Sequence, residues 1–187
     1  MLTVGSTRRS ARIDVSSTVV RLALLYVAHD SGWDECPDHD ASCGCITVSD
    51  RVPAQPGRVD VLVVRDEPAA CQDGVRAALD GRVGAIVLWN APEDLRLACE
   101  GLEAGLTVIP RRVIDLGAMA PRLTQRQRET LKLLARGTSS HGIAGALRQS
   151  ESTAKRDIAE LLHVFDVPNR TALVSSAASL GFVRSPR

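Results

Sequence analysis

From Leu123 to Gly181 the sequence spells four short helices in succession, each with its own start, apolar face and stop. Thr124 stands three residues before Gln127, the spacing at which a hydroxyl and an amide cap each other's backbone N–H groups. Leu131, Leu134 and Ala135 follow at helical spacing, and Gly137 supplies the left-handed residue that ends the helix. Ser139 or Ser140 caps a second helix whose apolar residues are Ile143, Ala144 and Leu147. Ser150 caps a third, with Ile158, Leu161, Leu162 and Phe165 spaced i, i+3, i+4, i+7. A fourth begins after Asn169 and carries Leu173, Val174, Ala177 and Ala178 before Gly181. Such a run folds only as a small helical bundle.

Two short helices joined by about three residues form a helix-turn-helix unit. Its second helix enters a DNA major groove N-terminal end first, so bases are read by the early turns. Here Ser152, Lys155, Arg156 and Ala159 lie opposite the leucines, and Lys155 and Arg156 suit guanine edges or phosphate oxygens equally. A helical interaction domain with a solvated charged face has the same periodicity. Charge separates the two readings. Of 23 basic and 22 acidic residues, 11 and 5 lie from Ala120 to Arg187, a net +6. The rest holds 12 and 17, a net −5, so a chain of formal charge +1 is divided into a basic part and an acidic part. That division is an electrostatic footprint for nucleic acid on the helical part.

About 60 residues here resemble, without a gap, the LuxR-type helix-turn-helix of the NarL/FixJ regulators. The matching residues are Leu123-Thr124, Arg126, Glu129, Leu131, Leu134-Ala135, Gly137, Ile143-Ala144, Leu147, Ser150, Thr153, Lys155, Asn169-Arg170 and Thr171. The resemblance implies that the Lys155 helix reads double-stranded DNA; flanking support is expected from Ser152, Thr153 and Arg170. It also implies that the helix after Asn169 pairs two protomers, through Leu173, Val174 and Ala177. The chain departs from the family pattern at Ser140, Gly142, Asp157 and Val164. Gly142 and Gly145 each weaken the second helix by roughly 1 kcal/mol relative to alanine, and Asp157 is expected near the phosphate path.

The remaining residues suffice for one further core. Residues 1–17 read as a mobile tail, 18–110 as an α/β domain, 111–121 as a linker holding two prolines' worth of breaks around Pro110 and Pro121, and 122–187 as the helical domain. Val19–Ala28, Val59–Val64, Ala85–Leu88 and Leu106–Ile109 are almost wholly apolar runs, suited to strands buried on both faces. Ala69–Leu79 and Glu93–Leu102 read as helices between them. The alternation implies a doubly wound parallel sheet. Its order resembles the receiver domain that precedes this helix-turn-helix in response regulators, with an unrelated small α/β domain as the alternative. No apolar run reaches the length of a membrane span, and a cytoplasmic protein is expected.

Receiver chemistry needs a carboxylate cluster for magnesium, an acceptor aspartate and a lysine. Here the acceptor position is Arg65, with Asp66 displaced by one; the acidic pair is at best His29-Asp30; the lysine position falls on Pro110 or Arg111. The only lysines are Lys132 and Lys155. Control by aspartyl phosphorylation is therefore not expected, and the domain reads as a degenerate receiver that dimerises or binds a signal. The segment His29–Cys45 holds Cys36, His39, Cys43 and Cys45, a C-x2-H-x3-C-x-C spacing that offers four metal-type ligands without matching a standard zinc motif. An acidic loop with incidental thiols competes with a zinc or redox-sensing site. Five cysteines beside a DNA-reading module point to reduced thiols, and Cys71 and Cys99 to core positions. No catalytic constellation or cofactor site emerges. The expected protein is a homodimeric, sequence-specific DNA-binding regulator. The alternatives are a regulator that binds DNA only as a heterodimer with another regulator, and a metal- or redox-sensing switch.

Overall fold

The computed structural model describes residues 9–36, 45–54 and 59–184, arranged as two compact units, the second of which takes in Ala118–Arg187. The first is built on five parallel strands: β1 (Arg9–Asp14), β2 (Trp33–Glu35), β3 (Ile46–Ser49), β4 (Val61–Val64) and β5 (Ala85–Leu88). They lie in the order β2-β1-β3-β4-β5. In register, Arg9 opposes Trp33, Ala11 opposes Ile46, Val48 opposes Val61, and Val61 opposes Ala85. β4 (VLVV) and β5 (AIVL) are buried at every residue, because helices cover both faces. On one face α1 (Thr18–Asp30) and α3 (Asp94–Glu103) place Val20, Leu24, Leu95 and Ala98 against Ile13, Val48 and Val87. On the other, α2 (Pro68–Leu79) and α4 (Arg111–Ala118) place Cys71, Ala77 and Val113 against Leu62, Ile86 and Leu88. This is the doubly wound parallel sheet that the sequence implies.

Several elements differ from expectation. Val19–Ala28 is not a strand but the body of α1, started by Ser17, whose side chain accepts from Val20 N. An apolar run is compatible with either element by periodicity, and the ten-residue length and the serine cap favour a helix. The first strand is instead Arg9–Asp14, within the segment that reads as a tail. Its signal is thin, since only Ala11 and Ile13 face the core. Trp33–Glu35 is a strand within the stretch expected to be a loop. Leu106–Ile109 contributes a single bridge, Val108 to Ala85, rather than a strand.

The expected linker holds α4. Pro110 precedes its first turn, where a missing N–H costs nothing. Gly117 lets α4 approach α2 closely: a Cβ there would lie 3.0 Å from Gln72 N. Four helices form the second unit: α5 (Gln125–Ala135), α6 (Ser140–Ala146), α7 (Glu151–Val164) and α8 (Arg170–Ser179). Leu131, Ile143, Leu161, Leu173 and Ala177 form its buried centre, and Phe165 meets Phe182 edge to face at 5.7 Å. Among the described residues no helix is long and apolar enough to cross a membrane.

Candidate nucleic-acid interface

Each helix of the second unit is started by a short polar side chain at the place the sequence marks. Thr124 and Gln127 form the reciprocal capping box. Ser139 accepts from Gly142 N at 3.2 Å, Ser150 from Thr153 N at 3.1 Å and Asn169 from Ala172 N at 3.0 Å. Of the two serines that could start α6, Ser139 does so, and Ser140 is buried. Arg148 adopts a left-handed φ of 51° in the turn between α6 and α7. These caps fix where α7 begins, and therefore which side chains its first turns present.

Ala154, Ile158 and Leu161 of α7 face the core, while Ser152, Lys155, Arg156 and Ala159 are exposed. Both cations carry intrahelical partners: Lys155 Nζ lies 2.8 Å from Glu151 Oε1, and Arg156 Nε lies 3.7 Å from Glu160 Oε1. The Lys155 hydrogen bond and charge hold the Glu151 carboxyl below its usual range, with His141, 3.7 Å away, adding to the effect. Thr153 is half-buried and its hydroxyl lies 2.7 Å from Ser150 Oγ, so it belongs to the cap more than to the outer face. The Arg170 guanidinium donates to Ser140 Oγ, tying the start of α8 to α6.

Two expectations about this unit are corrected. Asp157 does not stand on the outer face: it is 5% exposed and pairs with Arg126 Nε of α5 at 2.8 Å, while Gln149 Nε2 donates to it at 3.2 Å. One carboxylate thus joins α5, the α6–α7 turn and α7. Asp157 lies in phase with the buried Ala154, Ile158 and Leu161, but its partner is not legible in the sequence, because Arg126 is 31 residues away. Leu173 and Ala177 are fully buried and cannot form a pairing face for α8, whereas Val174 is half-buried. The helix turns Thr171, Ser175 and Ser179 outward.

In the sheet unit, Asp66 follows β4. Its Oδ2 accepts from Asn90 Nδ2 at 3.2 Å and from Arg112 Nη2, the cation coming from position 112 of α4 rather than from position 111. The Arg65 guanidinium lies 5.8 Å from the centre of the Trp89 ring. Of the candidate metal ligands, His39 and Cys43 lie outside the described residues. Cys45 is disulfide-bonded, against the expectation of reduced thiols, and Cys36 is half-buried. Among the described residues no group of three or more His, Cys, Asp or Glu could hold a metal ion.

Residues 121–177 match the family GerE, bacterial regulatory proteins of the luxR family. No curated protein matches the chain by sequence. Solved structures of RcsB share its fold. A structure of two RcsB dimers bound to two parallel DNAs is 21% identical, with a TM-score of 0.52, covering 92% of this chain and 99% of that one. RcsB of Salmonella typhimurium is 20% identical, with a TM-score of 0.52, covering 91% and 99%. RcsB of Salmonella enterica serovar Typhimurium, bound to promoter rprA, is 21% identical, with a TM-score of 0.50, covering 91% and 98%. At these identities the likeness is one of fold: a parallel-sheet domain followed by a helical one. Residues 121–177 are a helix-turn-helix domain of the luxR family, and α7 is the second helix of the pair.

Proposed function

We propose that this protein is a cytoplasmic transcriptional regulator that binds double-stranded DNA sequence-specifically, as a pair of copies, through α7. One observation carries the reading: a helix started at Ser150 presents Ser152, Lys155, Arg156 and Ala159 to solvent in its first turns, within a part of the chain that carries net +6. That is the placement from which side chains reach base edges in a major groove. The RcsB structures that share the fold include complexes with DNA, which supports the same reading. Input by aspartyl phosphorylation does not belong to it. Arg65 occupies the acceptor position, and Asp66 is already engaged by Arg112 and Asn90.

The test is DNA affinity of the full chain on a site selected from random duplexes, with Lys155→Ala and Arg156→Ala combined. Lost base contacts cost about 1–3 kcal/mol each, so the double variant is expected to bind weaker by about 2–6 kcal/mol. Where a lost contact is to phosphate, the salt slope also falls by about 1 per residue. Undiminished affinity in a folded double variant sinks the reading. A second reading, a regulator that binds DNA firmly only beside another regulator, draws on the Glu151–Lys155 and Arg156–Glu160 pairs. DNA must displace those carboxylates before it gains either cation. A flat binding curve for the purified protein that steepens when the other regulator is added would favour this second reading.

A further inference from the structure

Glu151 is the first residue of α7, at the end of the helix that enters a major groove. With Lys155 and Ala159 it forms one row, i, i+4, i+8, on the face opposite the buried Ala154, Ile158 and Leu161. A carboxylate in that row is repelled by the DNA phosphates. The Lys155 hydrogen bond and charge nevertheless favour its ionised form. An ionised carboxylate can only accept hydrogen bonds, and the base edges of a major groove offer it cytosine N4 and adenine N6 as donors. The helix dipole suits an acidic side chain anywhere in the first turn, whereas position 151 alone stands one turn before Lys155.

We infer, resting on the reading that α7 enters the groove, that Glu151 and Lys155 together recognise one G·C base pair. Lys155 donates to guanine O6 or N7, and the Glu151 carboxylate accepts from cytosine N4. Without DNA, Lys155 Nζ lies 2.8 Å from Glu151 Oε1, so a donor and an acceptor already stand side by side on the row. A G·C edge presents the complement in order, two guanine acceptors and then the cytosine donor. Both ends of the Lys155–Glu151 hydrogen bond therefore find new partners at once, and neither charge is stranded against the bases. An A·T edge sets its one donor, adenine N6, between adenine N7 and thymine O4. A carboxylate that reaches N6 there also meets the O4 acceptor, which repels it. His141 of α6 approaches the other carboxylate oxygen, its Nδ1 3.7 Å from Glu151 Oε2, and leaves Oε1 to the cytosine. Ala159, last in the row, has no side chain beyond Cβ to hold the helix away from the bases.

The test is binding of the full chain to its selected duplex and to every single base-pair change of that duplex, for the wild type, Glu151→Gln and Glu151→Ala. The wild type is expected to lose about 10-fold or more in affinity when one particular G·C becomes A·T. The amide of Glu151→Gln both donates and accepts, which suits adenine N6 and N7, so this variant is expected to prefer A·T at that same position. Glu151→Ala is expected to discriminate there about 5-fold less, and to bind unrelated DNA more tightly because a negative charge no longer faces phosphate. A folding defect weakens every duplex alike and does not exchange one base preference for another. Equal weakening of every duplex by both variants would make Glu151 a mere tether for Lys155 and overturn the inference. So would a Glu151→Gln variant that keeps the G·C preference while the wild type binds selectively, an outcome that leaves α7 as the reader. A wild type that distinguishes no duplex sinks the DNA-reading assignment itself, and the G·C contact with it.

Discussion

Removing Arg126 should destabilise the helical unit more than neutralising Asp157, although both break the same ion pair. The Asp157 side chain is 7% exposed and the Arg126 side chain 48% exposed. Arg126→Met leaves a buried carboxylate whose remaining donor is the Gln149 amide at 3.2 Å. Breaking a buried pair so that a charge is stranded costs about 3–5 kcal/mol, and the half-exposed cation places this case near about 3 kcal/mol. Asp157→Asn leaves a guanidinium that water already reaches and an amide that still accepts a hydrogen bond, so its cost should be about 1 kcal/mol. Combined, the two changes should cost less than their sum, with a coupling of about 1–3 kcal/mol. The assay is amide hydrogen exchange in α5 and α7 of the full chain, which reads opening of this unit without interference from melting of the sheet unit. An Asp157→Asn cost equal to or above that of Arg126→Met refutes the asymmetry. A cost below about 0.5 kcal/mol for Arg126→Met refutes the clamp altogether, since that is what an exposed pair would give.

Thr130 is fully buried and its hydroxyl has no hydrogen-bond partner among the described residues, so Thr130→Val should stabilise the helical unit by about 1 kcal/mol, seen as slower exchange across α5; destabilisation would mean the hydroxyl is satisfied. Two glycines should respond in opposite directions. Among the described residues nothing lies within 4 Å of a Cβ at Gly145, so Gly145→Ala should stabilise α6 by up to about 1 kcal/mol. A Cβ at Gly117 would lie 3.0–3.2 Å from the backbone of Cys71 and Gln72, so Gly117→Ala should destabilise the sheet unit in urea by about 1–3 kcal/mol. The Cys99 thiol is pushed up from 9.0 to about 12, chiefly by burial and further by Glu103. Its folded pKa lies above its unfolded one, so its contribution to stability is complete below pH 9.0 and is lost as pH rises towards about 12. Alkylation of Cys99 at pH 8 should therefore require unfolding, and mass spectrometry showing prompt labelling of the native protein would count against it.

The helical unit was legible because each of its signals is local. A capping side chain reaches only to N2 or N3, and an apolar stripe repeats within two turns, so Thr124, Ser150, Asn169 and the leucines reveal themselves from sequence alone. The sheet unit was legible where burial is total, at β4 and β5, and where an apolar face repeats at helical spacing, at α2 and α3. α1 defeated the same reasoning because its second apolar face removes the alternation that marks an amphipathic helix, and what remains reads as a buried strand. β1 was hidden for the converse reason: between Arg9 and Asp14 only Ala11 and Ile13 are apolar, and a strand recognised by two side chains is indistinguishable from a polar tail. At the interface, Lys155 and Arg156 follow from helix phase. Asp157 is one residue further and falls in phase with the buried Ala154, Ile158 and Leu161; its charge alone argued for the outer face, and the counter-ion that lets it be buried, Arg126, is 31 residues away.

Asp157 and the paired cations together explain how a helix of nearly balanced charge can still be a reader. α7 carries Glu151, Lys155, Arg156, Asp157, Glu160 and His163. Counted by sequence alone, it offers DNA no net positive charge. The structure redistributes those charges: Asp157 is withdrawn into the fold and neutralised by Arg126, while Lys155 and Arg156 stay at the surface beside carboxylates that water also reaches. Exposed pairs of that kind are worth about 0–1 kcal/mol, less than a well-placed contact to a base edge, so a matching sequence displaces the carboxylates and a mismatched one gains little. Non-specific attraction to phosphate is reduced by the same pairs. Specificity, the difference between the two, is what such an arrangement favours over affinity.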